Sequence, residues 1–135
     1  MAKYTDNGAT GTLTWATGGG GTGDDVGQGI AVNGGSVYAT GYFANDAGNT
    51  NAVQFGGLPL PGNGVATSDA YVVKYTDGGA SVTGTWARSA GGSGYDYGNG
   101  IAVSGTSIYV AGAVQNDAIN SYGVLFCVVP PNSTP

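Results

Sequence analysis

Gly29-Ile30-Ala31-Val32-Asn33-Gly34-Gly35-Ser36-Val37-Tyr38-Ala39-Thr40-Gly41-Tyr42-Phe43 holds two short apolar runs around a polar, Gly-rich centre. The stretch from Gly100 to Val114 repeats it. Ile30 and Val32 lie on one face of the first run. In the second, Val37, Ala39, Gly41 and Phe43 alternate with Tyr38, Thr40 and Tyr42, the two-residue period of a strand with two distinct faces. Asn33-Gly34-Gly35 and Ser104-Gly105-Thr106 supply residues that tolerate positive φ, as tight hairpin turns require. Each copy therefore reads as a β-hairpin.

The repeat extends well beyond the hairpin. Lys3-Tyr4-Thr5-Asp6 recurs as Lys74-Tyr75-Thr76-Asp77, Trp15 as Trp86, and Asn45-Asp46-Ala47 as Asn116-Asp117-Ala118, always at the one offset that carries Lys3 to Lys74. Comparing 3–47 with 74–118 without a gap gives 26 identities in 45 positions, far above chance. Four recurring strands follow: A (29–32), B (37–43), C (70–76) and D (83–87). Ala2 to Thr5 reads as the end of a C strand and Thr12 to Ala16 as a D strand. An irregular insertion, 44–68, holds a short strand near 52–55, and the prolines of 58–62 confine that segment to a loop or a sheet edge. The tail, 123–129, stands as a second C strand. No stretch shows a 3.6-residue apolar period with caps, so no helix is expected.

From residue 12 the order is D-A-B-C-D-A-B-C. Four-stranded antiparallel units in tandem are the blade pattern of a β-propeller. The expected fold is thus all-β, a single unit over residues 1–135 with about two blades per chain, entered out of phase. The segments 94–103, 107–112 and 68–75 resemble the bacterial SBBP-type β-propeller repeat. That resemblance covers nearly all of 3–118 and implies blades of a secreted or surface-attached bacterial protein, usually in arrays. It implies no shared catalytic residues.

Composition narrows the functions. Lys3, Lys74 and Arg88 are the only cations, His is absent, all eight acids are Asp, and the net charge is −5. Three scattered cations cannot track a phosphate backbone, which excludes nucleic acid, and they disfavour an anionic membrane surface. No apolar run is long enough to span a bilayer as a helix. Cys127 is the sole cysteine, so neither an intrachain disulfide nor a cysteine metal site is available, and its apolar surroundings suit a buried thiol. A surface rich in Thr, Asn, Gly and Tyr points to an extracellular or bacterial cell-surface protein, with a leader already removed or an excised segment behind an added Met.

Site candidates are few. Residues 20–26 and 91–97 both fit Gly-Gly-x-Gly-x-Asp-x, the first part of a calcium nonapeptide, which makes Asp24, Asp25 and Asp96 weak calcium candidates. The required large apolar eighth residue is missing, and the copies are not in tandem. The competing reading has Asp25 and Asp96 accepting backbone N–H groups. No metal and no cofactor is therefore expected. Trp15, Trp86, Tyr95 and Tyr97 offer flat faces with polar handles, suited to stacking on sugars or packing blade on blade. Without His or Glu, no activated nucleophile is evident, and no enzyme is expected.

The leading expectation is a non-catalytic scaffold or adhesion surface. It would assemble as a homo-oligomer by strand exchange through the N-terminal strand, or sit beside adjacent blades of a longer parent. A lectin-like glycan-binding propeller and a fragment of a larger secreted propeller enzyme are the alternatives.

Overall fold

The computed structural model describes residues 1–45, 53–62, 66–115 and 125–126. They form β1 (Ala2–Asp6), β2 (Gly11–Ala16), β3 (Gly19–Gly20), β4 (Asp25–Asn33), β5 (Ser36–Asn45), β6 (Val53–Phe55), β7 (Leu58–Leu60), β8 (Thr67–Asp77), β9 (Val82–Gly91), β10 (Tyr97–Ser104), β11 (Ser107–Ala113) and β12 (Leu125–Phe126). The protein is all-β, with no helix among the described residues. Its strands make four antiparallel sheets, none closed. The largest has the order β12-β9-β8-β5-β4, so β4, β5, β8 and β9 run as a meander. A two-stranded sheet, β1–β2, meets it on one side through Trp15 and Lys3, and another, β10–β11, packs on the other.

Local chemistry explains these elements, and it recurs. Asn33 pairs with Ser36 across a two-residue turn, and Ser104 with Ser107 across another. Gly34 and Gly105 both sit at φ 57° there, a conformation that a Cβ would penalise. Asp6 Oδ1 accepts the Gly8 N–H at 2.8 Å, and Asp77 Oδ1 accepts the Gly79 N–H at 2.9 Å, the side-chain turn expected of Asp two residues before Gly. Bulges recur too. The register of β4 on β5 slips between Gly27 and Gly29, and that of β10 on β11 between Gly98 and Gly100. At each slip a backbone carbonyl closes on a glycine across the pair: Val26 on Gly41, and Tyr97 on Gly112. Only glycine fits such an approach.

The expected A, B, C and D strands are thus the cores of β4, β5, β8 and β9, each longer than the sequence pattern marks out. Alternation sorts the meander into two faces. Val37, Phe43, Tyr71, Val73, Tyr75 and Ala87 share the first face and form the core. Within the insertion, residues 53–60 form more strand than expected. β6 and β7 form a hairpin that joins β3 in a three-stranded sheet, with Val53, Phe55 and Leu60 buried against the core and Pro59 on the edge strand. Phe55 lies 4.2 Å from Tyr71, centroid to centroid.

The tail departs from its expected place. Of 123–129 the structure describes Leu125 and Phe126, and these pair with β9, not beside β11 as a C strand. Their register gives the reason. Phe126 lies opposite Ala90 and Leu125 opposite Gly91, just as Phe55 lies opposite Gly19 and Gln54 opposite Gly20, each pair one repeat earlier. Val124-Leu125-Phe126 is therefore the second copy of Val53-Gln54-Phe55, and the repeat runs on without a gap. Likewise β9 is one continuous strand where its first copy is divided into β2 and β3. Cys127 and the 116–118 motif lie outside the described residues.

Candidate functional site

The contacts between the meander and its two flanking sheets gather most of the chemically distinctive side chains. On the first face, the β1–β2 register puts Lys3 opposite Trp15. Both reach Asp77, at the end of β8. The Trp15 indole N–H donates to Asp77 Oδ1 at 3.0 Å and Lys3 Nζ to Oδ2 at 2.6 Å, the one ion pair among the described residues. Lys3, the Gly79 N–H and the Trp15 indole together hold the Asp77 carboxyl below the ordinary carboxylate range. The second face meets β10–β11. Tyr97 meets the Tyr42 ring edge-on at 4.9 Å, Gly98 lies against Thr40 Oγ1, and the Asn33 side chain donates to the Gly105 carbonyl at 2.8 Å.

Each junction holds a cavity that opens to solvent. The first, about 600 Å³, is lined by Met1, Asp25, Ala39, Phe55, Tyr71 and Tyr75 among others. Burial raises the Tyr71 phenol to about 12, helped by neighbouring Tyr75 and Asp25, and burial also raises Tyr75. Burial raises the Asp25 carboxyl above its usual range, against the Gly21 N–H that it accepts at 2.8 Å. The second cavity, about 550 Å³, is lined by Val72, Trp86, Arg88, Asp96, Tyr97 and Val110 among others. Met1, Asp25 and Ala39 of the first cavity are the repeat counterparts of Val72, Asp96 and Val110 in the second. The two cavities are copies of one junction. The first is lined in addition by Phe55 and by Val73 and Tyr75 of β8, while Tyr71 lines both.

The candidate site residues scatter over this frame. Trp15 is buried in the first junction with its N–H committed to Asp77, so its face is packed. Trp86 is half-buried on the second cavity, 6.3 Å from Tyr38, whose ring also lies under Lys74 Nζ at 5.7 Å. Tyr97 shares that cavity and opens β10, where the sequence suggests a link. Tyr95 is exposed, and its hydroxyl donates to the Ala66 carbonyl at 3.3 Å. The structure thus brings Trp86 and Tyr97 together and holds Trp15 on the other side of the meander. The Asp24 side chain is exposed. Asp96, fully buried, accepts the Gly92 N–H at 3.0 Å and the Gln115 N–H at 3.2 Å. Asp25 and Asp96 are thus both N–H acceptors in the segment before an A strand. Among the described residues no three metal-ligating side chains cluster.

No family model, curated protein or solved structure matches the chain.

What the junctions can do follows from their side chains. The second cavity offers Trp and Tyr rings, aliphatic walls and the exposed Arg88, a surface for apolar and aromatic groups. Hydroxyls nearby are occupied: Ser89 donates to the Pro61 carbonyl at 2.8 Å and Thr40 to the Tyr71 carbonyl at 2.6 Å. The sequence reading missed the partnership of Lys3 and Trp15 with Asp77. Its signal was the recurrence of Lys-Tyr-Thr-Asp and of Trp at fixed spacing.

Proposed function

We propose that the chain is a non-catalytic repeat module, built of propeller-type blades, that serves as a scaffold or interaction surface by assembling with further units. One observation carries this reading. The flanking sheets expose side chains whose counterparts in the other repeat are buried in the meander. Tyr4 is 63% exposed and Tyr75 3%; Tyr109 is 61% exposed and Tyr38 7%. An apolar sheet face left in water marks an interaction surface. The likeness to SBBP-type repeats and the sparse surface charge support an extracellular or bacterial cell-surface setting. The test is molar mass by sedimentation velocity and light scattering across micromolar concentrations. A discrete multiple of 13.2 kDa is expected, and a monomer throughout overturns assembly.

A second reading is glycan binding, favoured by Trp86 and Tyr97 together on one cavity. Binding on a glycan array that Trp86→Ala abolishes supports it; no binding removes it.

A further inference from the structure

We infer that β11 of one copy takes β1 of a second copy as its next strand, and that Asp6 of that second copy closes the joint on Trp86 and Lys74. This rests on the assembly reading above and names its contact. Among the described residues, β11 pairs only with β10 and β1 only with β2, so each shows an open edge, which is a template for strand addition.

The chain already contains the arrangement in completed form. β11 is the repeat counterpart of β5, and β1 that of the second half of β8, with Lys-Tyr-Thr-Asp unchanged. β5 pairs with β8 in a register that sets Ser36 opposite Thr76, Val37 opposite Tyr75, Tyr38 opposite Lys74 and Ala39 opposite Val73. Carried to the repeat counterparts of both strands, that register sets Ser107 opposite Thr5 of the second copy, Ile108 opposite its Tyr4, Tyr109 opposite its Lys3 and Val110 opposite its Ala2. Among the described residues, β10, β11 and β12 are the repeat counterparts of β4, β5 and β6. β1 and β2 are the repeat counterparts of the second half of β8 and the first part of β9.

Side chains agree with the backbone. Tyr4 of the second copy enters, on the second cavity, the place that Tyr75 fills on the first. The exposed Tyr109 ring meets Lys3 of the second copy as Tyr38 meets Lys74. Asp6 of the second copy stands where Asp77 stands in the first joint, already shaped by its own Gly8 N–H. Its carboxylate then receives the Trp86 indole and the Lys74 ammonium, as Asp77 receives Trp15 and Lys3. The chain's own β1 does not reach this edge. β1–β2 packs on the first face of the meander and β10–β11 on the second.

The test uses the full chain. Asp6→Lys and Lys74→Asp are each expected to weaken association about ten- to a hundred-fold, the worth of a charged hydrogen-bonded pair. The double variant, with the exchanged pair at every joint, is expected to recover most of the loss. Hydrogen exchange on the unaltered protein reads the same joint without substitution: amides of 1–5 and 107–111 gain protection as concentration rises, while those of 37–43 do not change. Association with protection elsewhere, or single variants that associate as the parent does, overturns this joint and leaves the assembly reading standing. A parent chain that stays monomeric overturns both.

Discussion

Trp15 and Trp86 are repeat counterparts in unequal surroundings, and their replacement by Ala separates what each junction contributes. Trp15 is buried with its indole N–H bonded to Asp77; Trp86 is half-buried on an open cavity. A buried Trp removes roughly 150–250 Å² from water, worth about 4–6 kcal/mol at 25 cal/mol/Å². Core Trp→Ala replacements lose about 3–5 kcal/mol. Trp15→Ala belongs in that range, a large part of a total stability of about 5–15 kcal/mol. Trp86→Ala, with about half the surface at stake, is expected to lose roughly 2 kcal/mol in the dispersed chain. With a urea m-value of about 1.5 kcal/mol/M, the midpoints fall by about 2–3 M and about 1 M. The assay is urea unfolding followed by circular dichroism, repeated over a range of protein concentrations. The Trp86 difference grows with concentration, because association stabilises only folded chains that can associate, while the Trp15 difference stays constant. Equal midpoint shifts at the lowest concentration, or a larger one for Trp86, refute the reasoning.

Gly41→Ala is expected to destabilise severely, since its methyl would meet the Val26 carbonyl; a thermal midpoint within a few degrees of the parent's contradicts the bulge geometry. Asp77 has a depressed folded pKa, so its contribution is present above the ordinary carboxylate value and lost as pH falls through the lowered one. Asp77→Asn should flatten that acid limb in stability measured against pH. Asp25 is the reverse case: its folded pKa is raised, so stability falls as pH rises from the ordinary value through the raised one, and Asp25→Asn should remove that fall and stabilise the protein at neutral pH. The Tyr71 phenol, raised from 10.0 to about 12, makes stability decline across that window, because the unfolded chain ionises first. Tyr71→Phe should lessen the decline, with the remainder coming from Tyr75.

Much of the fold was legible because its causes are local. Alternation in 37–43 identifies β5, the Gly34 and Gly105 turns identify two hairpins, and Asp-x-Gly spacing identifies the side-chain turns. The Gly-Gly-x-Gly-x-Asp spacing correctly suggests N–H acceptors at Asp25 and Asp96. What escaped depends on contacts distant in sequence. Trp15 lies 62 residues from Asp77, and nothing in its neighbourhood separates a packed indole from an exposed one. Phe126 reads with the Val-rich run around it, because three residues of β6 are too few for a period to show. Only the shared pairing with Gly19 and Ala90 reveals Phe55 and Phe126 as counterparts. Pro59 marks an edge, but burial of Leu60 beside it needs the core to be in view.

The Lys3–Trp15–Asp77 joint is made within one chain, and that sets the dilution at which it opens. Groups held in one folded chain meet at an effective concentration set by the fold, whatever the concentration of the protein. The same three side-chain types brought together from two chains have only the protein's own concentration to draw on. A joint inside the chain therefore stays closed at dilutions where a chemically identical joint between chains falls open. In the assembly proposed above, one sequence period used twice would supply both a fastening within the chain and one whose occupancy follows the concentration of the protein.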